Sequence, residues 1–439
     1  MTHLLKEGQE LRTVSSNLRC VVEKYLGGGG QGEVYRAEYG GKPTALKWYY
    51  PDIATERLRE ALDALIRLGS PTDRFLWPME LVVSRSMPGF GYVMPLRDPS
   101  YKGLMDLMKR RVDPSFRALC TAGFYLADGY LQLHSKGYSY QDISHGNVFL
   151  EPASGKVLIC DNDNVVVDGE TSSGVFGTPR FMAPEIVRGE AMPSTLTDIF
   201  SLAVLLFYMF HIHHPLEGRL EHRIHCLDSP AMKQLYGDHP VFIFDPNDQS
   251  NRPVPGEQDN PLLFWPIYPR FFRDLFTDSF TKGIRSPGDR IRESQWRNAM
   301  IQLRDSIIYC GPCGKENFYD AERLVQRNEG AGNCWSCRRE LVLPPRLRIA
   351  DKFVVMLNHD TVLYPHHLDP DRRYDFDEPT AAVTQHPCQP GLWGLKNLTA
   401  DEWTLVEHDG EMTPIPSGRT ASLSECKIRF GKLDGEIRA

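Results

Sequence analysis

Asp142 and Asn147 stand five residues apart in Tyr140-Gln141-Asp142-Ile143-Ser144-His145-Gly146-Asn147. A loop with that spacing can supply both a base for a hydroxyl and an oxygen ligand for Mg²⁺. Fourteen residues after Asn147, Asp161 follows the apolar run Val157-Leu158-Ile159-Cys160. A carboxylate just off a buried strand suits a second metal ligand bridging the β- and γ-phosphates of a nucleotide. Upstream, Gly27-Gly28-Gly29-Gly30-Gln31-Gly32-Glu33-Val34 fits G-x-G-x-x-G-x-V. Glycines let a hairpin lie flat over polyphosphate, with N–H groups approaching the oxygens unobstructed by Cβ atoms. Glu33-Val34-Tyr35 continues as strand, which separates this turn from a dinucleotide-binding turn that would open a helix. Lys47, thirteen residues after Val34 in Thr44-Ala45-Leu46-Lys47, is a strand lysine that α- and β-phosphates would account for. Glu60 is the expected ion-pair partner of Lys47. It is preferred to Glu56, one turn earlier, because it lies nearer the middle of the helix that follows. Singly, each feature has an ordinary explanation as a turn, a cap or an edge-strand lysine. Their order and spacing together point to nucleotide chemistry.

A second constellation is built from cysteine. Cys310-x₂-Cys313 and Cys334-x₂-Cys337 are two tight pairs separated by 20 residues, while the other six of the ten cysteines are scattered singly. Two C-x₂-C turns can close a tetrahedral shell of four thiolates around Zn²⁺, which is a structural site with no open position. Between Ile307 and Val342 there are five basic and five acidic residues, so this module carries no nucleic-acid footprint. Docking or spacing is its expected role.

These groups need elements to hold them. Strand-like runs at Val21-Val22, Val34-Tyr35 and Ala45 to Trp48, then Leu81 to Val83 and Gly91 to Met94, predict a small β-rich lobe. Leu58, Ala61, Leu62 and Leu65 recur at helical spacing between them, over about 55–68. Pro114 to Ser135 and Leu196 to Phe210 predict buried helices, with more helix from Pro269 to Phe280 and from Glu293 to Leu303. The Pro-, Asp-, Asn- and His-rich stretch from Leu216 to Asn260 predicts an irregular insertion. After the cysteines, short strands such as Phe353 to Leu357, Trp403 to Val406 and Lys427 to Phe430 predict an all-β unit. The 439 residues allow two to four domains. A formal charge of −7 argues against a chain-wide polyanion surface, so no nucleic acid is expected. The opening MTHLLKEGQELR lacks the apolar core of a secretory signal, and no apolar run reaches the roughly 20 residues of a membrane span. A cytoplasmic location is expected.

From about Leu18 to Leu303 the chain resembles the eukaryotic-type (Hanks-type) protein kinases. Gly177-Thr178-Pro179-Arg180-Phe181-Met182-Ala183-Pro184-Glu185 resembles the end of that family's activation segment. The resemblance implies an α+β, two-lobed kinase domain over 1–306, with an N-lobe at about 17–94 and a C-lobe at about 95–306. The zinc ribbon would take 307–343 and the β unit 344–439. It implies that Thr178 organises Asp142, that Glu185 pairs with Arg290, and that Asp198 braces the catalytic loop. Catalytic roles fall to Asp142, Lys47, Asn147, Asp161, Glu60 and Thr178, with Asn147 and Asp161 holding Mg²⁺. ATP would contact Gly27, Gly28, Gly29, Gly30, Gly32, Val34, Ala45, Lys47, Met94 and Leu96. Protein Ser/Thr hydroxyls are the expected acceptors.

The departures are specific. Tyr140-Gln141 replaces His-Arg before the catalytic aspartate, so a phosphate on the activation segment would lack its usual arginine partner. Thr171, Ser172 and Ser173 remain candidate phosphorylation sites. Asp161-Asn162-Asp163 replaces Asp-Phe-Gly, and Ser144 stands where many serine/threonine kinases place a lysine. The Ser144 and Asn162 departures motivate an alternative reading, a pseudokinase scaffold that binds nucleotide or partners without phosphoryl transfer. The order Gly391-Leu392-Trp393-Gly394, Leu395 to Thr399, then Trp403 to Val406 resembles the second half of a forkhead-associated β sandwich. That family's Gly-Arg and Ser-x-x-His signature is not found upstream, so phosphothreonine binding is not carried over. The whole arrangement resembles bacterial kinases encoded beside a metal-dependent protein phosphatase and a von Willebrand A-type protein. Both are expected partners on that ground.

Overall fold

The computed structural model describes residues 3–170, 176–322, 330–350, 353–407 and 409–438. The chain forms two compact units, Met1–Trp265 with Arg273–Asn298, and Pro266–Phe272 with Ala299–Ala439.

In the first unit, strands β1 (Glu10–Thr13), β2 (Arg19–Gly28), β3 (Gly32–Tyr39), β4 (Lys42–Tyr49), β5 (Glu80–Val83) and β6 (Phe90–Pro95) close a barrel in the order β1-β2-β3-β4-β6-β5. Register sets the site: Val34 pairs with Lys47 and Lys47 with Tyr92, while Ala45 pairs with Met94. The lobe starts earlier than the expected residue 17. Leu5, Leu11 and Thr13 are buried in it, and β1 joins β2 to β5. Glu10-Leu11-Arg12-Thr13 is too short and too charged to stand out as a strand, yet its alternate residues face inward. Helix α1 (Glu56–Leu68) follows β4. The Thr55 hydroxyl caps it by accepting from the Leu58 N–H, and it ends at Gly69 with φ of 74°.

Strand β7 (Lys102–Gly103), helix α2 (Leu104–Met108) and helix α3 (Phe116–Ser135) open the second lobe. The catalytic segment runs along short strands β8 (Tyr138–Ser139), β9 (Val148–Leu150), β10 (Val157–Ile159) and β11 (Val166–Val167). Helix α4 (Pro184–Val187) precedes α5 (Thr195–His211), which is buried all round because its sequence is apolar on every face. Ser194 and Thr197 form its capping box. The expected irregular insertion contains only short turns of helix, such as Arg219–His222 and Ser229–Met232. Helices Arg270–Phe280 and Glu293–Asp305 follow within two residues of the expected bounds. Among the described residues, no helix is long and apolar enough to cross a membrane.

In the second unit, β12 (Ile307–Tyr309) and β13 (Glu316–Phe318) form a hairpin. Beyond it, β14 (Arg346–Ile349), β15 (Phe353–Met356), β19 (Trp403–Val406), β20 (Met412–Ile415), β22 (Cys426–Arg429) and β23 (Asp434–Arg438) make a six-stranded sheet in the order β15-β14-β23-β22-β19-β20. Strands β16 (Val362–Leu363), β17 (Ala381–Gln385), β18 (Trp393–Asn397) and β21 (Thr420–Ser422) make a four-stranded sheet in the order β16-β17-β18-β21. Leu347, Ile428 and Ile437 of one sheet share a core with Leu363 and Leu395 of the other. The boundaries expected at 306/307 and 343/344 are not the divisions between these compact units. Ile308, Cys310, Cys334 and Leu341 share a small core with Met356, and the Asn358 amide donates to the Ile307 carbonyl at 2.7 Å. The cysteine module and the β unit are therefore packed as one.

Candidate active site

The β2–β3 turn has two kinds of glycine. At Gly32 a Cβ would lie 2.2 Å from the Trp48 carbonyl oxygen, so the close approach of β4 demands glycine there. At Gly27, Gly29 and Gly30 a Cβ would meet nothing within 4 Å. Packing does not explain those three, and their bare backbone is free to approach a ligand. At the turn's tip, Gln31 donates from Nε2 to Asn164 Oδ1 at 3.1 Å and accepts from Lys47 Nζ at 2.9 Å.

Lys47 is buried, with Asp163 Oδ2 at 2.7 Å and Asp161 Oδ1 at 3.5 Å. Burial alone would lower its pKa, but the two carboxylates outweigh it and hold the ammonium above the usual lysine range. The expected partner, Glu60, is not there: it is exposed, and the ion pairs of Lys47 among the described residues are with Asp161 and Asp163. Helix geometry gives the reason. Leu62 and Leu65 set the inward face of α1, and at about 100° per residue Glu60 lies roughly 160° round from Leu62. Glu56, the rival, pairs with Arg59 at 3.8 Å. Asp163 and Gln31 are thus the site residues that sequence reasoning missed. The available signal was an acid at a position where a glycine was expected.

Asp161 has φ of 52° and leads into the tight turn Asn162–Asn164, anchored by Asn162 Nδ2 donating to the Ile159 carbonyl at 3.1 Å. Burial, together with the neighbouring Asp163 charge, raises the Asp161 carboxyl despite Lys47. Asp142 sits between two donors: Thr178 Oγ1 reaches its Oδ1 at 2.7 Å, and Asn147 Nδ2 reaches its Oδ2 at 2.9 Å. Burial raises the Asp142 carboxyl while these two hydrogen bonds oppose the rise. The Asn147 amide nitrogen also donates to the Asp142 carbonyl at 2.9 Å.

The loop's backbone is braced from below. Asp198 accepts the N–H groups of Tyr140 at 2.6 Å and Gln141 at 3.0 Å, and His134 joins it at 3.1 Å. Tyr140, in place of the family's histidine, donates its hydroxyl to the Cys160 carbonyl. Gln141, in place of the arginine, donates to the Glu170 carbonyl at 3.3 Å. Gly177, with φ of 103°, would place a Cβ 3.0 Å from the Gln141 carbonyl, so this approach of segment to loop needs glycine. Arg290 holds Glu185 through two hydrogen bonds. Thr171, Ser172 and Ser173 lie outside the described residues. Val34, Ala45, Met94 and Leu96 belong to one apolar cluster with Leu158 and Cys160.

The sequence profile of the protein kinase domain matches residues 102–254. The chain carries a protein kinase domain. The match includes Asp142, Asn147, Asp161, Thr178, Glu185 and Asp198, whereas the glycine-rich turn and Lys47 lie before it. Among similar proteins, the probable cell cycle serine/threonine-protein kinase CDC5 homolog of Encephalitozoon cuniculi is 29% identical over 209 residues, 45% of this chain and 43% of that protein. The DNA damage-responsive serine/threonine-protein kinase RqkA of Deinococcus radiodurans is 30% identical over 192 residues, 42% of this chain and 28% of that protein. Human rhodopsin kinase GRK1 is 36% identical over 145 residues, 32% of this chain and 24% of that protein. The aligned part spans less than half the length of each of these relatives.

Apart from the kinase domain, Cys310, Cys313, Cys334 and Cys337 bring their sulfurs within 4.8 Å of one another. The Cys310–Cys337 and Cys313–Cys334 separations are 3.5 and 3.6 Å. A tetrahedral ion with metal–sulfur bonds of about 2.3 Å needs edges of about 3.8 Å, so the cluster has the size of a closed four-thiolate site. Burial opposes ionisation of Cys334, but N–H groups of Cys337 and Ser336 and the Asn317 amide bring its thiol down to about 6.

Proposed function

We propose that this chain transfers the γ-phosphoryl group of Mg-ATP to Ser or Thr hydroxyls of protein substrates, in a signalling role in the cytoplasm. The observation that carries this reading is Asp142 held between Thr178 and Asn147. A carboxylate fixed by two donors, and raised by burial, is poised to orient a hydroxyl and take its proton. Gly27, Gly28, Gly29, Gly30 and Gly32 would cover the phosphates, Lys47 would orient them, and Val34, Ala45, Met94 and Leu96 would enclose the adenine. The Asn147 Oδ1 and the Asp161 carboxylate are oxygen donors that suit Mg²⁺. When bound there, Mg²⁺ supplies charge neutralisation on the β- and γ-phosphates. The chain's own contribution is positioning: the Asp198 brace fixes the catalytic loop, and the Glu185–Arg290 pair fixes the end of the activation segment.

The four-cysteine cluster supports a structural Zn²⁺ in a zinc ribbon, and the two sheets sharing one core support the forkhead-associated-like sandwich. In that sandwich Asn397 has both ends of its amide engaged. Nδ2 donates to the Asp401 and Ile415 carbonyls, and Oδ1 accepts from Thr399, so the side chain braces its own loop. A packing or partner-docking role fits that better than phosphopeptide capture. A metal-dependent protein phosphatase and a von Willebrand A-type protein are proposed partners, to be sought by co-purification.

Incubating purified protein with Mg²⁺, radiolabelled ATP and a generic protein substrate tests the activity. Labelling by the wild type that Asp142→Asn and Asp161→Asn both lose supports it, and phosphoamino-acid analysis names the acceptor. Nucleotide binding without labelling would favour the scaffold alternative.

A further inference from the structure

Lys47 lies at the bottom of the nucleotide site with only 6% of its side chain exposed. An unpaired ammonium in such a place is strongly destabilising, so the group that neutralises it also fixes where it points. Asp163 is the nearest partner, and its side chain is 1% exposed. The same Oδ2 that meets Lys47 accepts the hydroxyl of Tyr49, two residues along β4 and so on the same face. Tyr92, opposite Lys47 in the sheet, faces the same carboxylate. β4 and β6 therefore wall Asp163 in, and the left-handed residue Asp161 starts the turn that delivers it. Asp161 itself is farther from Lys47 and half-exposed, as a metal ligand should be.

In protein kinases the phosphate-binding strand lysine is set by a glutamate on the helix that follows it, so the helix position controls the site. We propose that Asp163 has taken over that task and is the positioning residue of Lys47. Lysine and metal ligand are then set together by one turn, Asp161–Asp163, and α1 has no part in the pair. The pair therefore depends on no side chain of α1, in contrast to the glutamate-set arrangement. The inference rests on the kinase reading for its catalytic consequence, and on geometry alone for the pairing.

The full chain is compared with Asp163→Asn, Asp163→Glu, Glu60→Gln, Lys47→Met and the Asp163→Asn/Lys47→Met double variant. Melting temperature, the Mg-ATP dissociation constant and kcat are measured for each. Asp163→Asn is expected to lower kcat by about 30-fold or more while the dissociation constant changes by less than about fivefold. Asp163→Glu should recover part of the loss. The double variant should melt no lower than either single one, because each single change strands a buried group that the other change removes. Additive losses of melting temperature would overturn the pairing. A kcat loss with Glu60→Gln and none with Asp163→Asn would overturn the positioning role. If the wild type transfers no phosphoryl group, the proposed activity fails, while the melting cycle still decides the pair.

Discussion

Arg290 meets Glu185 through two hydrogen bonds of 2.8 and 2.7 Å, with the arginine side chain 2% exposed. The same arginine donates to the carbonyls of Gly283 at 3.0 Å and Leu196 at 2.9 Å. It therefore ties α4, the start of α5 and the segment before Glu293 to one point. The fork geometry of arginine makes this possible, and a lysine could not make both carboxylate bonds in the same plane.

Removing one partner of this pair leaves a buried charge. Glu185→Gln is expected to cost about 3–5 kcal/mol of stability. Arg290→Lys should not be conservative, since it forfeits the second carboxylate bond and at least one carbonyl. Thermal and urea denaturation of both variants check this. A change under about 1 kcal/mol in both would mean that the pair is not a structural anchor.

Thr178 reaches Asp142 with its hydroxyl and its backbone N–H, so the methyl group is dispensable for that contact. Thr178→Ala is expected to lower kcat by about 10- to 100-fold with little effect on ATP affinity, and Thr178→Ser to keep most of the activity. Steady-state kinetics with varied ATP separates these outcomes. Equal loss in the serine variant would place the threonine's role in packing.

Much of the site was legible because its chemistry fixes residue type and spacing together. Thr178 and Asn147 both reach Asp142, and Arg290 reaches Glu185. Glu60 sits near the middle of α1 along its axis but on the outward side around it, a distinction carried by Leu58, Leu62 and Leu65 on the inward face and not by distance from the helix ends. Asp163 shows in the sequence as a missing glycine, but a sequence does not reveal that a three-residue turn carries a carboxylate under β4. β1 escaped because a four-residue strand with two charged members has almost no signature of its own. The joint core of the cysteine module and the β unit was illegible for another reason. It depends on Met356 and Asn358, whose contacts with Cys310's surroundings are long-range.

The cysteine cluster makes a compositional prediction. Purified protein should carry about one zinc per chain by elemental analysis. A strong chelator, or Cys334→Ser, should remove it and lower the melting temperature of the second unit, because Cys310 and Cys334 are themselves part of the small core they share with Met356. Protein that folds with no metal and keeps its melting temperature in chelator would refute a structural zinc.

His134 gives the pH prediction. It is buried between two carboxylates, Asp198 and Glu293. Burial opposes its charge, but hydrogen bonds to Asp198 and Glu293 prevail and raise its pKa from 6.5 to about 9. A raised histidine favours the protonated folded state. Its contribution is therefore fully present below pH 6.5, falls as the pH climbs past that value, and is lost above about 9. A shift of that size corresponds to roughly 3 kcal/mol. Unfolding free energy measured by urea denaturation should accordingly decline across this window in the wild type. His134→Asn, which has no proton to lose, should lack that slope. Its catalytic loop should also be looser at neutral pH, since Asp198 would keep the Tyr140 and Gln141 N–H groups but lose its cationic partner. Parallel stability profiles for the two proteins from pH 6 to pH 10 would show that His134 is not held charged by its neighbours.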